Sequence, residues 1–172
     1  MATLKDAEKY YKHKGELEKV VKLKLINSDE IVYGARAVNK QLPAYLRRHT
    51  EDWDIATPDD PKDVAREIEQ ALDKRYGGNF FKVEPAQHKG TYKVISNITG
   101  SGVVDVTVME NKIDHRRIGR INYATLDYQL SRIKASLSDS KSKFRHKKDI
   151  DTRQRIKIHQ KRSSTPKMKA VK

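Results

Sequence analysis

The fold of this chain is decided by the stretch Tyr33-Gly34-Ala35-Arg36-Ala37-Val38-Asn39, followed shortly by Thr50-Glu51-Asp52-Trp53-Asp54-Ile55. The first segment predicts a short strand that ends in a glycine turn and continues into a helix. The second predicts a strand in which Asp52 and Asp54 point to one face and Trp53 to the other. Two neighbouring carboxylates are unfavourable unless a cation neutralises them, and hard oxygen ligands suit Mg²⁺. Because Mg²⁺ commonly also contacts substrate phosphates, the pair indicates chemistry on a nucleotide.

A third acid, Asp105, lies in the run Val103-Val104-Asp105-Val106-Thr107-Val108-Met109. This run has the highest content of β-branched residues in the chain and predicts a central strand. A carboxylate buried there without a partner would be costly. If this strand lies beside the Asp52–Asp54 strand, the three acids converge and can hold two metal ions.

The remaining pattern predicts alternating helices and strands. Helices are expected at residues 6–26, 35–46, 61–76, 123–137 and 149–159, and further strands at 30–33, 80–84 and 91–96. This order predicts an α/β (α+β) fold with a mixed β-sheet flanked by helices. We expect residues 1–140 to form the catalytic domain.

Positive charge is concentrated at the end of the chain. Residues 141–172 contain thirteen Lys and Arg against two Asp, a net of +11, whereas residues 1–140 contain twenty-four against twenty-one, a net of +3. We expect a basic C-terminal segment that is partly helical and then disordered from about residues 163–166 onward. Such a segment favours polyanion binding through counterion release. The alternative is a solvated tail that aids solubility.

The cysteine content and the hydropathy of the sequence indicate the cellular compartment of the protein. The chain has 172 residues and no cysteine, so neither a disulfide nor a thiolate zinc site is expected. We find no apolar run long enough to cross a bilayer and no signal-peptide core at the N-terminus. We therefore expect an intracellular, cytoplasmic protein without membrane association.

These motifs together resemble the nucleotidyltransferase superfamily typified by DNA polymerase beta. The family pattern is an apolar residue, a glycine with a second small residue, an Asp-x-Asp strand and a third Asp on a later strand. Here these are Tyr33, Gly34-Ala35, Asp52-Trp53-Asp54 and Asp105. The residues at positions 34–39 and 51–54 are most similar to those of large-DNA-virus poly(A)-polymerase-like and related minimal nucleotidyltransferases. The chain departs from the pattern at Ala35, where Gly or Ser is usual, so no hydroxyl is available there for a phosphate.

The resemblance implies a nucleotidyltransferase-like fold and transfer of a nucleoside monophosphate from an NTP or dNTP to a hydroxyl, with release of pyrophosphate. It implies two Mg²⁺ (or Mn²⁺) ions bound by Asp52 and Asp54, with Asp105 joining the ion nearest the acceptor. The residues expected to bind nucleotide are Gly34, Ala35, Arg36 and Asn39. Those expected to face nucleic acid or phosphate are Lys147, Lys148 and Arg153.

Three questions stay open from the sequence. Arg36 can pair either with a phosphate or with an acid on the surface of its own helix. The acceptor can be a nucleic-acid 3′ end, which the basic segment favours, or a protein or small molecule, and a protein partner can complete the enzyme. A non-catalytic basic module that binds nucleic acid is the alternative from a different class.

Overall fold

The computed structural model describes residues 3–164. The helices of this part of the chain are α1 (Leu4–Lys12), α2 (Glu16–Leu25), α3 (Gly34–Gln41), α4 (Pro61–Tyr76), α5 (Leu126–Leu137) and α6 (His146–Ser164). Short 3₁₀ helices lie at Ala44–Leu46 and Ser140–Arg145. The strands are β1 (Ile31–Tyr33), β2 (Trp53–Thr57), β3 (Phe81–Pro85), β4 (Thr91–Ser96), β5 (Gly102–Val108), β6 (His115–Ile118) and β7 (Ile121–Ala124).

The seven strands form one mixed sheet in the order β3-β4-β5-β2-β1-β7-β6. Strand β2 lies at the centre and pairs in parallel with β5 and antiparallel with β1. Strand β1 also pairs in parallel with β7. The predicted α/β class, with a mixed sheet flanked by helices, is confirmed.

One face of the sheet packs against α2 and α4. Side chains from strands and helices form a large buried cluster there, which includes Trp53, Ile55 and Val106. Trp53 is 1% exposed, so it anchors the core on the face opposite to Asp54, as the alternation predicted. Helix α4 begins as expected, with the side chain of Asp60 accepting a hydrogen bond from the backbone N–H of Lys62.

The opposite face carries Tyr33, Asp54, Ala56, Asp105 and Thr107, and we call it the acid face. The paired registers Asp54–Asp105 and Ala56–Thr107 place these side chains together. A smaller buried cluster lies nearby, in which residues of α3, the Ala44–Leu46 turn, α5 and α6 pack together: Val38, Leu42, Leu46, Ile133 and Ile156.

The basic C-terminal segment is part of this packing as far as the structure describes it. Ile156 of α6 is fully buried. Asp149, at the start of the same helix, is also buried and accepts a hydrogen bond from the Ser136 hydroxyl of α5 at 2.7 Å. The domain boundary expected at residue 140 therefore lies between two parts of the chain that contribute side chains to the same buried cluster. Helix α6 includes Ser163 and Ser164, where disorder was expected to begin, and the rest of that prediction lies outside the described residues.

Three local predictions were wrong. The helix expected at 35–46 ends at Gln41, and the separate 3₁₀ helix Ala44–Leu46 follows after Pro43. The single helix expected at 6–26 is divided into α1 and α2 around Gly15, where the Tyr76 hydroxyl donates to the carbonyl of His13. Residues 115–124 form a hairpin, β6–β7, instead of a loop and the start of α5. Its two-residue turn has positive φ at Gly119 (59°) and Arg120 (69°). Arg120 is unusual at such a position and hides the hairpin signal; its carbonyl accepts from the backbone N–H of Asn27 at 2.9 Å.

None of the helices among residues 3–164 combines the length and the apolar character that a bilayer crossing requires.

Candidate active site

The glycine turn at Gly34 packs closely against the carboxylate of Asp54. Gly34 begins α3 with φ +71°, a conformation that favours glycine. A Cβ atom at this position would overlap the Asp54 carboxylate. The close approach leaves the N-terminal turn of α3 and a carboxylate side by side, where backbone N–H groups can bind an anion that is bridged to the acids.

The register of three strands brings the acids together. Tyr33 of β1 pairs with Asp54 of β2, and Asp54 pairs with Asp105 of β5. Asp52 lies one residue before β2 begins, two positions from Asp54. The predicted adjacency of the two strands is confirmed, and it is what makes the third acid a neighbour of the first two.

Burial and neighbouring carboxylates both disfavour the ionised form of the acids. Burial, followed by the charge of Asp105 and assisted by that of Asp52, raises the pKa of Asp54 from 3.8 to about 6; Arg132 opposes the rise. Burial and the charge of Asp105 also raise the pKa of Asp52, against the lowering effect of Lys93 and Lys148. Burial is the largest cause of both shifts, and the repulsion between the acids adds to it.

Lys93 is a member of this site that the sequence did not identify. Its ammonium donates to both carboxylate oxygens of Asp105, at 3.0 and 3.3 Å. The antiparallel pairing of β4 with β5 places the two residues directly opposite each other. A lysine on the same strand face as Thr91 was the available signal, but it has meaning only once the register is known.

A chain of hydroxyl groups extends the acid face beyond the carboxylates. The Thr107 hydroxyl hydrogen-bonds to the Tyr33 hydroxyl at 3.0 Å and to the Thr91 hydroxyl at 2.8 Å. The Arg132 guanidinium lies 4.7 Å from the centre of the Tyr33 ring. Burial and the charge of Asp54 raise the pKa of Tyr33, so its hydroxyl stays neutral as a hydrogen-bonding group.

A cleft of about 890 Å³ opens over the acid face, between the sheet and the C-terminal third of the described chain. Gly34, Ala35, Asp54 and Asp105 line its base. Six Lys or Arg residues of the described chain also line it: Arg48, Lys93, Arg132, Lys141, Arg145 and Lys148. A cleft with acids at the base and cations on the walls suits a ligand that carries phosphates and binds together with metal ions.

The structure does not bring every predicted site residue into this cleft. Lys148 lines it, and its charge acts on Asp52, whereas Asp52 itself, Lys147 and Arg153 are not among its lining residues. Asn39 is engaged in holding the loop before β2, since its side chain pairs with the backbone of Arg48 through two hydrogen bonds of 2.6 and 3.1 Å.

Arg36 points to the other side of the strand. Its guanidinium stacks on the Trp53 ring at 4.0 Å, donates to the carbonyls of Asp52 and Glu51 at 3.0 and 3.1 Å, and lies 3.4 Å from Glu18. The acid that Arg36 pairs with lies on α2, whereas the pairing considered from the sequence was with an acid of its own helix.

The donor set is of the kind that divalent cations prefer. Among residues 3–164, no group of three or more acidic, histidine or cysteine side chains is gathered tightly enough to hold a metal ion. Asp54 and Asp105 nevertheless present carboxylates side by side, and the Lys93 ammonium already bonds to one of them as a cation would. Mg²⁺ commonly binds through one or two carboxylates and completes its shell with phosphate and water, so these residues fit such an ion.

Comparisons with known proteins agree with this architecture. No protein-family model matches the chain, and no curated protein matches its sequence. Among solved structures, the chain is similar to the crystal structure of the Megavirus polyadenylate synthase, with a TM-score of 0.69 and 19% sequence identity. The match covers 86% of this chain and 31% of the viral protein, so this chain spans about a third of its length. The resemblance inferred from the motifs is thereby confirmed at the level of the fold: the chain has the nucleotidyltransferase-like fold of that polyadenylate synthase.

Proposed function

We propose that this protein is a metal-dependent nucleotidyltransferase, which transfers a nucleoside monophosphate from an NTP or dNTP to the 3′ hydroxyl of a nucleic acid. The observation that carries the proposal is the pairing of Asp54 with Asp105 beside the Gly34 turn, at the base of a cleft walled by cations. The shared fold with a polyadenylate synthase supports the same reaction class.

In this proposal Asp52, Asp54 and Asp105 would hold two Mg²⁺ (or Mn²⁺) ions, which would supply charge neutralisation at the phosphates and at the attacking oxygen. Asp52 and Asp54 would hold both ions, and Asp105 would join the ion nearest the acceptor. A new bond forms between the acceptor oxygen and the α-phosphorus, the bond from that phosphorus to pyrophosphate breaks, and the acceptor hydroxyl gives up its proton with the assistance of Asp105.

The rest of the site binds and orients the substrate. Backbone N–H groups at Gly34 and Ala35 receive triphosphate oxygens at the start of α3. Arg132 and Arg145 supply positive charge near Asp54, since both lower its pKa, and they are placed to contact phosphate oxygens. Lys93 holds the Asp105 carboxylate in position until substrate and ions enter.

The direct test is incubation with Mg²⁺ or Mn²⁺, each labelled nucleoside triphosphate and a short RNA or DNA primer. We expect primer extension by the unchanged protein, and loss of at least about a hundredfold in Asp54→Asn and Asp105→Asn, because each removes charge stabilisation at the reacting centre. Asp63→Asn is the matched control, since Asp63 is an exposed acid of α4. Equal activity in all four proteins would refute the proposed site.

The same experiment separates the alternatives for the acceptor. Transfer to the protein itself, to another protein or to a small molecule, with the primer untouched, would favour the second acceptor class. Salt-dependent binding of nucleic acid with no transfer under any condition would favour the non-catalytic module.

The predicted nucleic-acid contacts at Lys147, Lys148 and Arg153 are tested by replacing them together with Gln. Substitution is preferable to truncation at residue 140, because Ile156 is buried in the core. We expect weaker primer binding and a shallower dependence of the binding constant on salt, by roughly 0.7 in logarithmic slope for each phosphate of a single strand that is no longer neutralised. An unchanged salt slope would show that these residues do not contact the acceptor.

A further inference from the structure

An exposed aromatic ring stands at the rim of the acid-containing cleft. Phe144 lies in the 3₁₀ helix Ser140–Arg145, lines the cleft, and has 85% of its surface exposed. Within residues 3–164, none of the buried hydrophobic clusters includes this ring. A large apolar side chain therefore faces a cleft whose other walls are mostly polar and charged.

The segment that carries the ring is firmly attached. The Asp139 side chain accepts from the backbone N–H of Lys141 at 3.0 Å, and the ring of His146 donates to the carbonyl of Ser136 at 2.8 Å. The buried Asp149 accepts from the Ser136 hydroxyl just beyond it. The backbone that carries Phe144 is therefore held in place, which lowers the backbone part of the ordering cost of a stacking contact.

Cations surround the ring on the same short segment. Lys141, Lys143 and Arg145 lie close to it in sequence, and all three are exposed. The guanidinium of Arg145 lies 3.6 Å from the carboxylate of Asp149. Both Arg145 and Lys141 line the cleft. An aromatic ring flanked by exposed cations is the combination by which proteins hold single-stranded nucleic acid, with bases stacked on rings and phosphates on the charges.

We propose that Phe144 is a stacking platform for a base of the single-stranded acceptor, and that Lys141 and Lys143 beside it hold the neighbouring phosphates. The inference rests on the proposed function for the identity of the acceptor. The acceptor is favoured over the incoming nucleotide because the cations of this segment are spread along its length, which matches a polymer, while the glycine turn and acids at the base of the cleft suit a triphosphate.

The test measures binding without metal ions, so that it does not depend on catalysis. Phe144→Ala is compared with Leu23→Ala, another exposed apolar side chain that lies on α2 outside the cleft. We expect Phe144→Ala to weaken the binding of a labelled single-stranded oligonucleotide about tenfold, and Leu23→Ala to leave it unchanged. The binding of a fluorescent nucleoside triphosphate is expected to stay the same in both.

A second variant reports stacking directly. Phe144→Trp keeps an aromatic ring, so oligonucleotide affinity is expected to stay within a factor of about two of the unchanged protein. Its emission is expected to be quenched on binding, whereas the single native tryptophan, Trp53, is buried and gives a constant background. Leu23→Trp is the control and is expected to show no quenching.

Each outcome decides the inference. Oligonucleotide binding that is absent, or that is equal in Phe144→Ala and the unchanged protein, overturns it. Weaker triphosphate binding with unchanged oligonucleotide binding assigns the ring to the incoming base and also overturns it. If oligonucleotide binding depends on Phe144 but the protein has no transferase activity, the stacking platform is supported and the proposed function is refuted. If the protein is active but its KM for the acceptor is the same in Phe144→Ala, the proposed function is supported and the platform is refuted.

Discussion

The raised pKa of Asp54 predicts that the metal-free protein is destabilised by this buried acid. The pKa rises from 3.8 to about 6 on folding, first because of burial and then because of Asp105. Below pH 3.8 the carboxyl is protonated in both states and costs nothing. Between these values the unfolded state is ionised while the folded state holds a proton, so stability falls as pH rises, and above about pH 6 the loss is constant.

The magnitude follows from the two pKa values. A tenfold difference in proton affinity corresponds to about 1.4 kcal/mol, so the full loss above the folded pKa is about 3 kcal/mol. At about pH 4.5 only about 1 kcal/mol of it has developed. Asp54→Asn removes the titrating group with little change of shape. We therefore expect the free energy of unfolding to be greater in Asp54→Asn, by about 3 kcal/mol at about pH 8 and about 1 kcal/mol at about pH 4.5.

Urea unfolding of both proteins across this pH range, in the presence of a chelator, measures the difference directly. Asp63→Asn serves as the control and is expected to differ from the unchanged protein by only a small amount, since Asp63 is exposed. Added Mg²⁺ is expected to stabilise the unchanged protein and to stabilise Asp54→Asn much less. A difference between the unchanged protein and Asp54→Asn that does not vary with pH would refute the reasoning.

Three further substitutions test other parts of the structure. Gly34→Ala is expected to lower the free energy of unfolding by more than about 1 kcal/mol, because of its positive φ and the overlap with Asp54, as urea unfolding would measure. Lys93→Met is expected to increase the thermal stabilisation that Mg²⁺ gives, since an added cation no longer displaces an ammonium from Asp105; equal shifts would contradict this. Ile156→Ala is expected to cost about 2–5 kcal/mol of stability, and a cost near zero would mean that α6 is not part of the core.

The sequence was sufficient for the centre of this fold because its signals there are local. Asp52-Trp53-Asp54 and the β-branched run around Asp105 indicate both the strands and their faces. Gly34 marks a backbone position that other residues adopt only with strain. The pairing of the two strands was predicted only as the condition for the acids to converge, and its basis was partly wrong, since Asp105 is half-buried and paired with Lys93 instead of buried without a partner.

What the sequence could not predict depends on register and on side-chain direction. Lys93 resembles any lysine of an edge hairpin until the pairing of β4 with β5 sets it opposite Asp105. The β6–β7 turn uses Arg120 where glycine or asparagine is the usual signal. Arg132 and Arg145 reach the cleft only because α5 and the segment after it fold back over the sheet, a long-range arrangement with no local pattern.

Arg36 shows how much this direction matters for the site. Asp52 precedes β2, so the strand ladder does not hold its backbone. Arg36 supplies that support, since it donates to the carbonyls of Glu51 and Asp52 while its guanidinium covers Trp53. Arg36 therefore holds the backbone of Asp52 from the side of the strand that faces away from the cleft. Under the proposed function, the cations that line the cleft bind the negative charge of the nucleotide. Substitution of Arg36 should therefore disturb the placement of Asp52 more than the binding of a triphosphate.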